Sequence, residues 1–247
     1  MVSIIIPSYN CKDYIIETLH SVLNQTFSDY EVLIVDDKST DGTPEVIKSA
    51  INLDKRFRLV LFDKNQGVTV ARNKGIEMAS GEFIAFLDGD DLWEPAKLEK
   101  QIDFMKKNGY PFTYTYYEKI DSYGNPSNIM VTSPDEVDYR KMLKSNYIGC
   151  STVIYNQNAL GKIYMPNIRK RQDYGMWLKI LKITDKGYCL KECLMRYRIR
   201  PDSISSNKLG LVRYNWRLFR TIEGFGVIKS LYYLFYNIFN KIIQRSR

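Results

Sequence analysis

Histidine is nearly absent from this chain. His20 is the single one among 247 residues, which excludes a serine–histidine–aspartate relay and any multi-histidine metal site. It falls within a helical pattern and reads as a packing or surface residue. Cysteine is scarce and scattered, at Cys11, Cys150, Cys189 and Cys193. Cys189 and Cys193 have no second pair, which argues against structural zinc, and free thiols in a reducing cytoplasm are the expectation. There is no G-x-x-x-x-G-K-[ST] loop, which argues against a P-loop NTPase. Val2 to Ile6 is apolar, but Pro7 to Asn10 ends the run too early for a secretory leader. No unbroken apolar stretch reaches the roughly 20 residues that span a bilayer. Acid is missing from one end. From Lys208 onward, Lys208, Arg213, Arg217, Arg220, Lys229, Lys241, Arg245 and Arg247 face only Glu223, so a net +7 of the chain's +8 lies there.

What is present is a βα alternation. Val2–Ile6, Glu31–Val35, Arg58–Phe62 and Phe83–Leu87 are apolar runs of strand length. Helical patterns over 13–24, 44–51 and 68–79 separate them. This predicts βαβ units and a mostly parallel α/β sheet with helices on both faces. Ligands of such sheets bind at the carboxyl ends of the strands. There the chain carries Pro7-Ser8-Tyr9-Asn10, Asp36-Asp37, Lys64-Asn65-Gln66-Gly67 and Asp88-Gly89-Asp90-Asp91, and their convergence on one crevice points to a nucleotide pocket.

The last of these loops is the most informative. Residues two apart in an extended strand end point the same way, so Asp88 and Asp90 face one direction, with Gly89 letting a ligand approach the backbone. Crowded carboxylates repel unless a cation sits among them. Hard divalent ions take one or two carboxylates plus substrate phosphates, so the stretch reads as a Mg²⁺ or Mn²⁺ site holding a diphosphate; the alternative is an acidic turn that ends a strand. Beyond residue 107 the pattern is mixed, with strands expected over 112–118, 148–155 and 188–200 and a helix over 138–144, as α+β material on the edge of the first sheet. Asp173 opens a further helix. By spacing alone it is an N-cap, with a general base beside the crevice as the other reading. The arginines Arg196, Arg198 and Arg200 form either a solvated strand face or a phosphate contact.

Five segments in order and register, Val2–Asn10, Val35–Thr43, Ala71–Gly75, Leu87–Asp91 and Gln172–Asp173, resemble family 2 glycosyltransferases of the GT-A fold over roughly residues 1–205. Asn146–Gly149 and Tyr164–Trp177 look closest to the bacterial O-antigen, capsule and teichuronic-acid sugar transferases. The resemblance implies a catalytic domain over 1–207, with a nucleotide-binding half (1–107) and an acceptor-side half (108–207). It implies that Pro7 and Tyr9 line the uracil or ribose site, that Asp37 with Asp36 contacts the base, and that Arg72 lies near the nucleotide. Asp88 and Asp90 would be the DxD pair, Asp90 a ligand of the Mn²⁺ or Mg²⁺ that bridges the diphosphate, and Asp173 the catalytic base. Gln172 stands where the family usually has Glu, and Arg200 where it often has His, so Arg200 would approach the diphosphate directly. A metal-assisted, inverting transfer from a UDP-sugar to a polyprenyl-diphosphate-linked saccharide follows, at the cytoplasmic face of the plasma membrane.

Residues 208–247 remain as a basic, amphipathic helical tail. Its aromatics and flanking cations suit a membrane surface; the alternatives are a helix packed on the domain and a homodimer interface. Its aromatic spacing is helical rather than that of a stacking platform, which argues against nucleic acid. The competing functional readings are a sugar nucleotidyltransferase and a non-catalytic membrane-associated assembly protein on the same fold.

Overall fold

The computed structural model describes residues 1–51, 54–200 and 208–243. It opens with β1 (Val2–Ser8), α1 (Lys12–Leu23), β2 (Tyr30–Asp36), α2 (Thr43–Ile51), β3 (Phe57–Leu61), α3 (Val68–Met78) and β4 (Phe83–Phe86). These four strands are parallel in the order β3–β2–β1–β4. There follow β5 (Leu92–Trp93), α4 (Lys97–Asn108), β6 (Phe112–Ile120), β7 (Pro126–Val131), β8 (Glu136–Asp138), α5 (Tyr139–Lys144), β9 (Ile154–Asn156), α6 (Gln157–Leu160), α7 (Gln172–Thr184), β10 (Lys186–Arg198), α8 (Lys208–Arg217) and α9 (Val227–Ile243). The second half extends the first sheet. β9 runs antiparallel between β4 and β6, and β6 lies parallel to β10, giving one ten-stranded sheet ordered β3-β2-β1-β4-β9-β6-β10-β5, with β7 on β6 and β8 on β10.

The continuous apolar strands reflect burial on both faces. In β1, Ile4 and Ile6 enter a core with Ile15, Leu19, Ile47, Leu98 and Ile102. Ile5 points the other way, into a core with Ile76, Phe86, Trp177 and Leu181. A Cβ on Gly75 would sit 2.5 Å from Ile5 Cγ2, so glycine lets α3 lie directly on β1. Arg72, three residues earlier and hence on the same helix face, is thereby carried to the end of β4.

One expected strand is replaced in part. Within Ile148–Tyr155, Cys150–Thr152 forms a 3₁₀ turn and only Ile154–Asn156 is strand. The β-branched composition there is overridden by a tertiary tie: Ser151 Oγ donates to Asp91 Oδ2 at 2.6 Å.

The chain after α8 returns to the core. Leu218, Phe219 and Phe225 are buried in the same cluster as Trp177. α9 then lies on α5 with its polar side inward: Ser230 and Asn237 are buried, and Asn237 Nδ2 donates to Leu143 O at 2.8 Å. Its outward side carries Val227, Ile228, Leu231, Tyr232, Phe235, Ile238 and Phe239. No helix among the described residues is long and apolar enough to cross a membrane.

Lys97 at the start of α4 is fully buried, donating to Gln101 Oε1 at 2.8 Å and lying 4.3 Å over the Trp93 ring. With no carboxylate against it, burial pulls its pKa from 10.5 to about 7. Between those values the unfolded chain binds the proton and the folded chain does not, so stability rises with pH across this window and falls as pH drops toward 7. Urea unfolding at pH 7.5 and 9.5 should show that rise in the wild type and a flatter dependence in Lys97→Met; equal slopes would show that Lys97 is charged in the fold.

Candidate active site

The loops at the carboxyl ends of β1, β2 and β3 are laced together by side chains. Asp36 accepts from Ser8 Oγ (2.9 Å), Ser39 N (2.8 Å) and Ser39 Oγ (2.6 Å). The two oxygens of Asp37 accept the Gln66 and Gly67 amides, both at 2.7 Å. Asn10 Oδ1 accepts Thr40 N, and Asp41 Oδ2 accepts Lys12 N. Both Asp36 and Asp37 are buried and set the walls of the crevice. Pro7 is buried inside β1, paired with Val35, whereas Tyr9 is 49% exposed at the rim.

At the end of β4 three aspartates fall within four residues, and each is compensated differently. Asp88 Oδ1 pairs with Arg72 Nη2 at 2.5 Å. Burial opposes the Arg72 charge, yet Asp88 and, less strongly, Asp173 hold its pKa above the ordinary value. Asp90 Oδ2 pairs with Arg200 Nε at 2.7 Å. Burial raises the Asp90 pKa, Arg200 works against the rise, and Asp88 adds to it. Asp91 is fully buried and held far above the carboxylate range by burial and by its two acidic neighbours. Gly89 is tightly packed: a Cβ there would meet Cys11 Sγ at 3.1 Å and Pro7 O at 3.3 Å. The glycine therefore lets the acidic loop sit on the β1–α1 turn.

Ser151, which sequence reasoning did not single out, and Arg198, which it named only as one of three neighbouring arginines, hold this loop. Ser151 Oγ accepts the Asp88 amide (3.1 Å) while donating to Asp91. Arg198, at the end of β10, is buried. Its Nε donates to Asp90 O (2.9 Å), Nη1 to Ser122 O (3.1 Å) and Nη2 to Glu17 Oε2 (2.5 Å), and its own amide reaches Asp91 Oδ1 (3.1 Å). Tyr14 lies against both arginines, 5.1 Å from Arg198 and 5.3 Å from Arg200. The alternation of arginines at the end of β10 was the available signal, since it places Arg196 and Arg198 on one side of the strand, with Arg200 just beyond it.

Asp173 is not the N-cap that its spacing suggests. α7 begins one residue earlier, Arg171 is the cap residue, and Asp173 sits in the first turn. The half-buried carboxylate makes no hydrogen bond among the described residues, and its charge is felt by Arg72 and Cys150. The site thus combines an arginine-paired acidic edge with a carboxylate that is unbonded among the described residues and whose charge reaches Arg72. Asp88 and Asp90 have no third acidic, histidine or cysteine ligand among the described residues. That set suits a hard divalent ion that completes its shell with phosphate and water.

Replacing Arg198 by Met should orphan the Asp90 and Ser122 carbonyls and destabilise the fold by about 1–3 kcal/mol in urea titrations. Arg196→Met, which removes a half-exposed pair with Glu94, should stay within about 0.5 kcal/mol. Equal effects of the two would deny Arg198 its special place.

The family model described as Glycosyl transferase family 2 matches residues 3–163. TuaG, named for teichuronic acid biosynthesis in Bacillus subtilis (strain 168), is 43% identical over 93% of this chain and 91% of its own length. The UDP-Glc:alpha-D-GlcNAc-diphosphoundecaprenol beta-1,3-glucosyltransferase WfgD of Escherichia coli is 39% identical over 87% of this chain and 84% of its own. Among solved structures, S. aureus TarS 1–349 in complex with UDP-GlcNAc superposes with a TM-score of 0.73 at 24% identity, covering 90% of this chain and 65% of that one.

Proposed function

We propose, for a chain that belongs to glycosyl transferase family 2, that it moves a hexose from a UDP-sugar to a polyprenyl-diphosphate-linked saccharide with inversion, in the assembly of a bacterial surface polysaccharide. The observation that carries this reading is Asp173, without a hydrogen bond among the described residues and with its charge felt by Arg72, the partner of Asp88 beside the Arg200-paired Asp90. The donor and acceptor are taken from the relatives, of which WfgD is named for UDP-Glc and a diphosphoundecaprenol-linked sugar.

In this reading Tyr9 and Asp37 bound the base and ribose, with Pro7 and Asp36 behind them, while Gly89 gives the acidic loop its close approach. Asp88 and Asp90 would hold Mn²⁺ or Mg²⁺, which would neutralise charge on the departing diphosphate. Arg200 then turns from Asp90 to the phosphates. Asp173 takes the proton of the acceptor hydroxyl as that oxygen attacks the anomeric carbon. The C–O bond to the diphosphate breaks in the same step, so an α-linked donor gives a β-linked product.

Asp173→Asn should lower transfer by roughly 10²–10⁴ while leaving UDP binding within about twofold. Radiolabelled transfer and calorimetry read the two separately, and normal turnover would remove Asp173 from the mechanism. A Mn²⁺-dependent thermal shift with UDP-sugars is the companion test: its absence with every UDP-sugar would deny the donor site.

The tail is proposed to rest peripherally on the cytoplasmic face of the membrane. Support comes from α9, which turns seven large apolar side chains outward, with Ile228 85% and Phe235 63% exposed, beside a strongly basic sequence. Arg245 and Arg247 of that sequence lie outside the described residues. The wild type should float with anionic vesicles and Ile228→Glu/Phe235→Glu should not. Equal flotation of the two, or a concentration-dependent dimer abolished by the same change, would assign the face to something other than lipid.

A further inference from the structure

Buried polar atoms without partners are rare in a folded chain, and each one calls for an explanation. Several gather at the start of α7. Arg72 Nε, Arg171 Nε and Nη2, and Gln172 Oε1 are buried with no hydrogen-bond partner among the described residues. Arg72 and Gln172 are 5% and 8% exposed. Burial lowers the Arg171 pKa, with Asp173 and Tyr174 opposing the change. Arg171 also occupies the cap position at φ 70°, a left-handed conformation uncommon for a side chain of this size, and no side chain caps the 13-residue helix. Its first amides are therefore open, at the positive end of the helix.

Two free guanidinium donors and open amides complement an anion. The Gln172 carbonyl oxygen complements something different, a hydroxyl or amide donor. One molecule that offers both is a sugar carrying a phosphate. The donor's diphosphate already has a place, at Asp88, Asp90 and Arg200. We infer that Arg171 and the α7 amides hold the diphosphate of the acceptor, with Gln172 receiving a hydrogen bond from its first sugar. This rests on the reading of Asp173 as the base that faces the acceptor hydroxyl. Arg171 stands two residues before Asp173 and feels its charge, so one sugar unit spans from a phosphate at one to a hydroxyl at the other. Asp173 also repels a phosphate placed against itself, which keeps the anion on the Arg171 side.

Calorimetry on the full chain separates this from the donor site. The probes are UDP with Mn²⁺, an alkyl-diphosphate-linked N-acetylglucosamine, and the neutral alkyl glycoside of the same sugar. The wild type should bind the diphosphate-linked sugar more tightly than the glycoside. Arg171→Gln should weaken the former roughly 10- to 100-fold, leave the glycoside and UDP within about twofold, and be partly rescued by Arg171→Lys. Equal loss on both acceptors would make Arg171 a structural residue, and a weakened UDP would place it in the donor site; either overturns the inference. If the wild type binds UDP but does not prefer the diphosphate-linked sugar, the acceptor subsite falls while the donor reading stands. If UDP itself does not bind, the parent reading falls and takes this one with it.

Discussion

Three carboxylates within four residues, at the end of a buried strand, cannot all stay ionised without compensation. This fold meets the constraint in three ways. Arg72 comes up from α3 to Asp88, Arg200 comes from beyond β10 to Asp90, and Asp91 is held well above the usual carboxylate range by burial and its two acidic neighbours, with hydrogen bonds from Ser151 and the Arg198 amide working against the rise. Each solution fixes something elsewhere. Arg72 reaches its place because Gly75 seats α3 on Ile5. Asp91 needs Ser151, which breaks what would otherwise be a longer β9. Arg198 then clamps the backbone of the loop to the β6–β7 turn and to α1. The second half of the chain is thus tied to the first at the acidic loop as well as along the sheet.

The same economy governs the other walls of the crevice. Asp36 and Asp37 look like ligand contacts in the sequence, yet their oxygens are engaged by Ser8, Ser39 and the amides before α3. A carboxylate oxygen retains a second lone pair, so this does not remove Asp37 from a ligand. It does mean that these residues first build the pocket. A crevice whose loops are already bonded to one another loses little further entropy when it is filled, the usual gain from preorganisation.

Much of this was legible because the period of the pattern is strong where strands are buried on both faces. β1 to β4 and the helices between them lie within a residue or two of where apolar runs and turn residues place them. β5 and β8, with two and three residues, are too short for a period to show, and β7 is largely exposed, so no apolar face marks it. Ile148–Tyr155 failed because its composition is local and its geometry is set by Asp91, sixty positions away. Asp173 failed as a cap by two residues, since Arg171 takes the left-handed turn that sequence rules reserve for glycine or asparagine. Arg198 was visible only as one of several basic residues. Nothing in its spacing told a buried clamp from a solvated face.

α9 inverts the usual logic of a surface helix. Its serine and asparagine residues face the protein and its aromatic and aliphatic residues face outward. Fully burying one such apolar side chain is worth about 1.5–3 kcal/mol, so seven that are mostly half-exposed leave several kcal/mol for a partner surface to recover, comparable to a typical margin of stability. Polar residues on the inner face have a positional use: Asn237 reads the Leu143 carbonyl and Asn240 the Lys144 carbonyl, at 2.8 and 3.2 Å. On the same helix, Met142 O accepts Tyr174 Oη of α7 at 2.6 Å. Three consecutive carbonyls at the end of α5 therefore set α7 and α9 in fixed relation. A bilayer held on α9 and a lipid-borne diphosphate held at the start of α7 would be referenced to one short helix, so that docking the tail also sets where the acceptor arrives.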